Sequence, residues 1–250
     1  MDRVTEETTM SQTPQNADLD QAFEALKTYK IGDDPAPVQG PIDKAVMAVQ
    51  GNMANRAALE RRLAATLTPA YSYVARSFVC RQLALIGTPA SVRALAPLVL
   101  EEELSVHARN ALERIPGAES EKALRDALGQ AKGRTRIGVI NSVAARRDAV
   151  STPVLIKILV EDPESAAAAA KALGEIGTSE AAKALAAARG KGPAPVQQAV
   201  VDGTLICADR LVAAGQRSQA ITLLEGLTGA SQPEHVRQAA HRALSAVARN

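Results

Sequence analysis

What most limits the fold of this 250-residue chain is a repeat of about thirty residues. The stretch Leu83-Ala-Leu-Ile86-Gly-Thr-Pro-Ala-Ser-Val-Arg-Ala-Leu95 aligns with Leu112-Glu-Arg-Ile115-Pro-Gly-Ala-Glu-Ser-Glu-Lys-Ala-Leu124 and with Leu173-Gly-Glu-Ile176-Gly-Thr-Ser-Glu-Ala-Ala-Lys-Ala-Leu185. Each carries an apolar residue, an Ile three places later and a Leu nine places after that. A degenerate copy puts Val143, Arg146 and Leu155 in these slots, and a fifth puts Leu211, Ala214 and Leu223 there. The reference positions 86, 115, 146 and 176 are 29, 31 and 30 residues apart, and the fifth follows after 38. A unit of this size cannot bury its apolar stripe alone, so successive copies must stack on one another.

The residues inside the repeat say what each unit is. Alanine and leucine dominate, aromatics make up 2 % and Trp is absent, a composition that favours helix over strand. Gly87 and Gly177 can end a helix in the left-handed conformation, Thr88 and Thr178 can cap the next, and Pro89 suits a first helical position. Val79, Leu83 and Ile86 before the turn, and Val92, Leu95 and Val99 after it, have helical spacing. Each unit therefore reads as helix, tight turn, helix. First helices are expected near 71–86, 104–115, 134–147, 164–176 and 194–214, and second helices near 89–100, 119–130, 152–161, 179–189 and 217–228. Helices near 18–30, 41–50 and 53–67 precede them, with a loop at 32–41, and a closing helix spans 233–249. Residues 1–17 are expected to be disordered, 18–70 to form a divergent helical cap, and 71–250 the repeat array. Leu95, Leu124, Leu155 and Leu185 should be equivalent core residues.

The segment Ala172–Ala181, A-L-G-x-I-G-T-x-E-A, and the copy Leu85–Leu95, L-I-G-T-P-A-S-V-x-A-L, resemble the HEAT-repeat proteins of the short bacterial type, the group that shares the repeat of phycobilisome lyases. The likeness is good over 71–190 and loose beyond, where Leu211–Leu224 looks more like a tetratricopeptide helix pair. The resemblance implies an all-α fold, an α-solenoid forming a right-handed superhelix of antiparallel HEAT-like helix pairs. It also implies a non-enzymatic scaffold that docks a protein or peptide, with a bilin lyase-like or enzyme-associated HEAT subunit as the alternative. Two catalytic branches of HEAT-like proteins do not fit. Deoxyhypusine hydroxylase needs His-Glu pairs to hold iron, and here His107, His235 and His241 are scattered with no such dipeptide. The HEAT-like DNA glycosylases use aromatics in a strongly basic groove, and this chain has no Trp and a net charge of +2.

That charge also argues against nucleic acid as partner, although the first 34 residues carry −5. No phosphate loop, nucleophile elbow or zinc-type spacing occurs, so no catalytic residue, metal or cofactor is expected. Gly190-Lys-Gly-Pro reads as an inter-helix linker. Cys80 and Cys207 fall in or beside the apolar column of Val79 and read as buried thiols. The chain as written shows neither a signal peptide nor a membrane span, which points to a cytoplasmic monomer, with a trimmed signal left open.

Two groups of residues are candidates for binding. Five residues before each reference position stand Arg81, Asn110, Asn141, Lys171 and Asp209, all polar, which stacking would line up as a ladder of hydrogen-bonding groups. The plain alternative is a solvated face. In the third unit bases gather at Lys132, Arg134, Arg136, Arg146 and Arg147. Arg146 stands where other copies have Ile, with no compensation visible in the sequence. The cluster reads either as solvated charge, with Arg147 paired to Asp148, or as a dock for an anion or acidic peptide, the chain's own segment 1–34 included.

Overall fold

The computed structural model describes residues 14–230 and 232–249, so most of the 1–17 segment lies outside the described residues. The chain opens with α1 (Pro14–Leu26), α2 (Ala36–Ala48) and α3 (Met53–Ala65). Five helix pairs follow. They are α4 (Tyr73–Ile86) with α5 (Pro89–Leu95) and its 3-10 extension Ala96–Leu100, then α6 (Ser105–Arg114) with α7 (Ala118–Gln130). Next come α8 (Gly133–Ala145) with α9 (Thr152–Glu161), α10 (Ala166–Ile176) with α11 (Ser179–Ala188), and α12 (Ala194–Ala213) with α13 (Arg217–Glu225). Helix α14 (Glu234–Arg249) closes the array. Among the described residues every regular element is helical. The first helices α4, α6, α8, α10 and α12 pack each on the next as one layer, while α3, α5 and α7, and again α9, α11 and α13, neighbour one another in the second. The fold is an α-solenoid of helix pairs.

The helix ends show how the sequence sets these elements. Ser72 accepts a hydrogen bond from the Ala75 N–H, Thr88 from Ala90 and Thr178 from Ala181, each satisfying a free donor of the first turn. Gly177 ends α10 in the left-handed region, at φ +69°. Gly87 does not, because it is extended at φ −61° and ψ 150°. Its glycine serves packing instead, since a Cβ there would meet the Leu83 carbonyl and lie 2.7 Å from the Ile115 side chain. The loop expected at 32–41 is shorter than the sequence suggested, and α2 already starts at Ala36. Pro35 and Pro37 fall at its N-terminal end, where a missing N–H costs little, Asp34 accepts from the Ala36 N–H at 3.0 Å, and Pro41 is carried inside the helix.

The core is built from repeated columns. Leu95, Leu124, Leu155 and Leu185 are at most 1 % exposed, and Leu223 is buried with them. The column of Val79, Ala108, Val139, Ala169 and Cys207 is inaccessible throughout. Small residues let the first helices close on one another, most tightly between α10 and α12. A Cβ on Gly174 would lie 2.5 Å from the Gly203 carbonyl oxygen, and one on Gly203 would lie 2.5 Å from that of Ala170. Those two helices touch backbone to backbone, which no larger residue permits. Gly174→Ala should therefore cost about 1–3 kcal/mol in urea unfolding through overpacking. Gly129→Ala, in α7 with open space where the methyl would go, should instead stabilise by about 0.5–1 kcal/mol.

Candidate interaction face

Short helices leave much of their backbone hydrogen-bonding capacity at their ends, and here neighbouring repeats supply the partners. The Arg56 Nε on α3 donates to the Ile86 carbonyl at 2.8 Å and its Nη2 to that of Gly87 at 3.2 Å, closing the end of α4. At the end of α8 the Arg146 Nη1 reaches back to α6 and donates to the carbonyls of Leu112, Glu113 and Ile115 at 3.0, 3.1 and 2.8 Å. Its Nη2 lies 3.3 Å from the Glu121 carboxylate. Buried Glu60 does the converse for α5, accepting from the Thr88 N–H at 2.7 Å, from the Thr88 hydroxyl and from the Ser91 hydroxyl. A carboxylate at that helix start also faces the positive end of the helix dipole.

These contacts redistribute the basic cluster of the third unit. Arg146 is spent inside the molecule, and the compensation for losing Ile is the capped end of α6. Arg136 is spent too: its Nε donates to the Ala131 carbonyl at 2.6 Å, and its Nη1 pairs with Asp162 at 2.7 Å, holding that carboxyl below its ordinary range. Asp148 pairs with Arg125 at 2.8 Å, not with Arg147. Arg147 is exposed in a left-handed turn, at φ +50°, and Arg134 and Lys132 are exposed as well. The five bases of the third unit thus do not form one patch of free charge.

The ladder is different. Arg81, Asn110, Asn141, Lys171 and Asp209 occupy equivalent places on α4, α6, α8, α10 and α12, and all five are exposed. None of their side chains hydrogen-bonds or ion-pairs with a described residue, and the Arg81 guanidinium stands 5.7 Å from the Phe78 ring. Sequence reasoning missed the apolar residues beside them. Tyr73 and Leu85 on α4 and Val106 on α6 are 40 %, 55 % and 46 % exposed. The Tyr73 hydroxyl lies 3.2 Å from His107 Nε2, tying α4 to α6 at this end of the face. Burial, helped by nearby Arg81, holds the imidazole below its ordinary pKa. The available signal was helical spacing: Tyr73 lies eight residues before Arg81, Leu85 four after it, and Val106 four before Asn110.

Elsewhere the described surface includes a cleft and a groove. A cleft of about 630 Å³ lies among α1, α2 and α3, with Leu19 and Leu59 on its walls and Lys44 and Arg62 at its rim. A groove of about 330 Å³ runs between α11 and α13 past Lys183 and Arg189. Among the described residues no three His, Cys, Asp or Glu side chains converge as a metal set, and no helix is long and apolar enough to cross a membrane.

No family model matches the chain, and no curated protein does. Solved structures similar to it include an engineered protein, at 20 % identity and a TM-score of 0.42, covering 91 % of this chain and 68 % of that one. The complex of CpcE and CpcF of phycocyanin lyase from Nostoc sp. PCC7120 is similar at 16 % identity and a TM-score of 0.42, over 98 % of this chain and 100 % of that one. A designed armadillo repeat protein in complex with the peptide (KR)4 is similar at 19 % identity and a TM-score of 0.35, over 92 % and 99 %.

Two outcomes follow from this chemistry. Arg146→Ala would strand three helix-end carbonyls and should cost about 1–3 kcal/mol in urea unfolding, with Arg146→Lys recovering only part because an ammonium cannot span all three. Burial pushes the Cys80 thiol up to about 12 and the Cys207 thiol up to about 11. Both should stay protonated and unreactive toward a thiol reagent at pH 8 in the folded protein, and both should label once urea unfolds it.

Proposed function

We propose that this protein is a non-enzymatic scaffold that binds an extended segment of a protein partner along the ladder of its first-helix layer. One observation carries the reading. Five equivalent side chains on five stacked helices are exposed and engaged by no described residue, while Arg109, Arg136 and Arg210 on the same helices, and Arg146 at the end of α8, are tied into bonds between repeats. Side chains fixed by packing hold the array, and the ladder is left to meet something outside. Its rungs are charged and amide groups with an apolar border at Tyr73 and Val106, a mixture suited to a polypeptide, which offers backbone donors and acceptors at every step. Rungs on helices rather than loops keep their spacing when the chain is free, which lowers the ordering cost of binding.

The test is site-directed photo-crosslinking in extract of the native host. A crosslinkable residue replacing Asn110 or Asn141 should capture a defined partner, and one replacing Arg93 or Lys183 on the second layer should not. Capture from Arg93 or Lys183 alone would place the interface on the other layer and overturn the proposal. The competing role, a lyase-type subunit acting on a bilin, predicts a new visible absorbance on mixing with bilin and transfer to an apo-acceptor. The scaffold reading predicts neither.

A further inference from the structure

One apolar column of the second helices is broken at a single place, and the next unit answers the break. Four residues after the core leucines stand Val99, Leu128, Leu159 and Leu227, all buried, but after Leu185 stands Arg189. Three residues after the same leucines stand Leu98, Ala127, Ile158 and Ala188, but after Leu223 stands Gly226. The two departures fit each other. A Cβ on Gly226, at the end of α13, would overlap the Arg189 guanidinium, which reaches that glycine from the end of α11. Arg189 is half-buried and poorly engaged: its Nε meets the Ala186 carbonyl of its own helix at 3.3 Å, while Nη1 and Nη2 bond to no described residue. Arg146, the other arginine standing where its fellows are apolar, holds three carbonyls. A guanidinium drawn partly out of water is costly unless something pairs with it.

Arg189 lines the groove of about 330 Å³ between α11 and α13, to which Ala182, Ala186 and Leu223 give aliphatic walls. Lys183 also lines it and is exposed. The acids of these two helices, Glu180 and Glu225, are exposed, do not line the groove and pair with neither base. Positive charge and apolar surface therefore meet in one small concavity of a size that holds a small molecule. The planar fork of an arginine matches a carboxylate, which accepts two parallel N–H bonds. From Ser179 to Arg189 the α11 wall runs about 15 Å at the rise of an α-helix, so the groove is long for its volume and suits a linear body over a ring. We infer that this groove binds a small amphipathic anion, a linear aliphatic carboxylate whose head pairs with Arg189 and whose chain lies along Ala182, Ala186 and Leu223. The site belongs to the second layer and does not depend on what the ladder binds.

The test is isothermal titration calorimetry of the intact chain at low salt with octanoate, well below its micelle concentration. Octanoate should bind one to one. Octanol, which keeps the chain and lacks the charge, and acetate, which keeps the charge and lacks the chain, should each bind about tenfold more weakly or worse. Arg189→Leu combined with Gly226→Ala writes into this unit what the other repeats carry. That variant should unfold in urea no earlier than the parent and should lose octanoate by about tenfold or more. Gly226→Ala alone should leave the urea midpoint in place and weaken octanoate several-fold, because the methyl displaces the guanidinium and nothing else. Arg81→Glu on the ladder should change neither quantity. The site is overturned if octanoate does not bind, if octanol, acetate or inorganic phosphate binds as tightly, or if the double variant folds and binds octanoate as before. A protein captured from a crosslinkable residue at position 183 would also overturn it, by making the groove a protein site. Failure with octanoate leaves the crosslinks at positions 110 and 141 untouched, so the ladder is judged separately.

Discussion

Everything in this molecule depends on how one repeat finishes the helices of the next. In a helix of ten residues such as α6 or α11, the four N–H groups at one end and the four C=O groups at the other are a large share of the backbone's hydrogen-bonding capacity. Left buried and unpaired, such groups would cost more than the packing of a small helix returns. Arg56 and Arg146 close the ends of α4 and α6 from the neighbouring units, and Glu60 closes the start of α5. A guanidinium suits the first task because it is planar, always charged and carries five donors. A carboxylate suits the second because it only accepts. Each unit is therefore incomplete without its neighbour in hydrogen bonds as well as in apolar surface, and the array should unfold with strong coupling between adjacent units.

The same dependence sets what could be read from the sequence. Leu95, Leu124, Leu155 and Leu185 were legible as core because burial leaves a periodic apolar trace, and the helix boundaries were legible from Thr88, Pro89, Thr178 and Gly177. Arg146 was legible only as an anomaly. Its partners are backbone carbonyls more than thirty residues away, and since every residue has a carbonyl, nothing in the sequence marks Leu112 or Ile115 as acceptors. Gly87 failed for a related reason. The neighbour that forbids its Cβ is Ile115 of the next unit, which local turn chemistry does not reveal. Pro35, Pro37 and Pro41 read as loop by density, although the first two fall where a helix tolerates them. The ladder was legible as a column of polar residues. Its freedom from partners among the described residues was not, because that depends on which of the other polar residues had been used.

That division of labour among the arginines turns a solvated surface into a candidate interface. Composition alone, at +2 overall, suggests a chain indifferent to charged partners. Once Arg125, Arg136, Arg146 and Arg210 are assigned to bridges within the array, the five ladder side chains stand out as exposed groups that no described residue engages. Net charge misses this because it weighs a guanidinium locked against three carbonyls the same as one facing water.

The longer spacing before the fifth unit bears on how far such an interface can run. The added residues lengthen α12 to 20 residues, two turns more than α10 needs. Val201 in those turns and Leu205 just after them pack with Leu227, Val236 and Ala240 in a small apolar cluster under α14. Helix α14 follows in the chain where the first helix of a further pair would come, and it packs on α13 and, less closely, on α12. A terminal unit of a solenoid must offer its neighbour an apolar face and water a polar one, and α14 does so with His235, Gln238, His241 and Arg242 exposed. Capping the array there ends the stack of first helices at α12, so the ladder stops at Asp209. The length of the ladder, five rungs, is thus bounded by the same helix that seals the core.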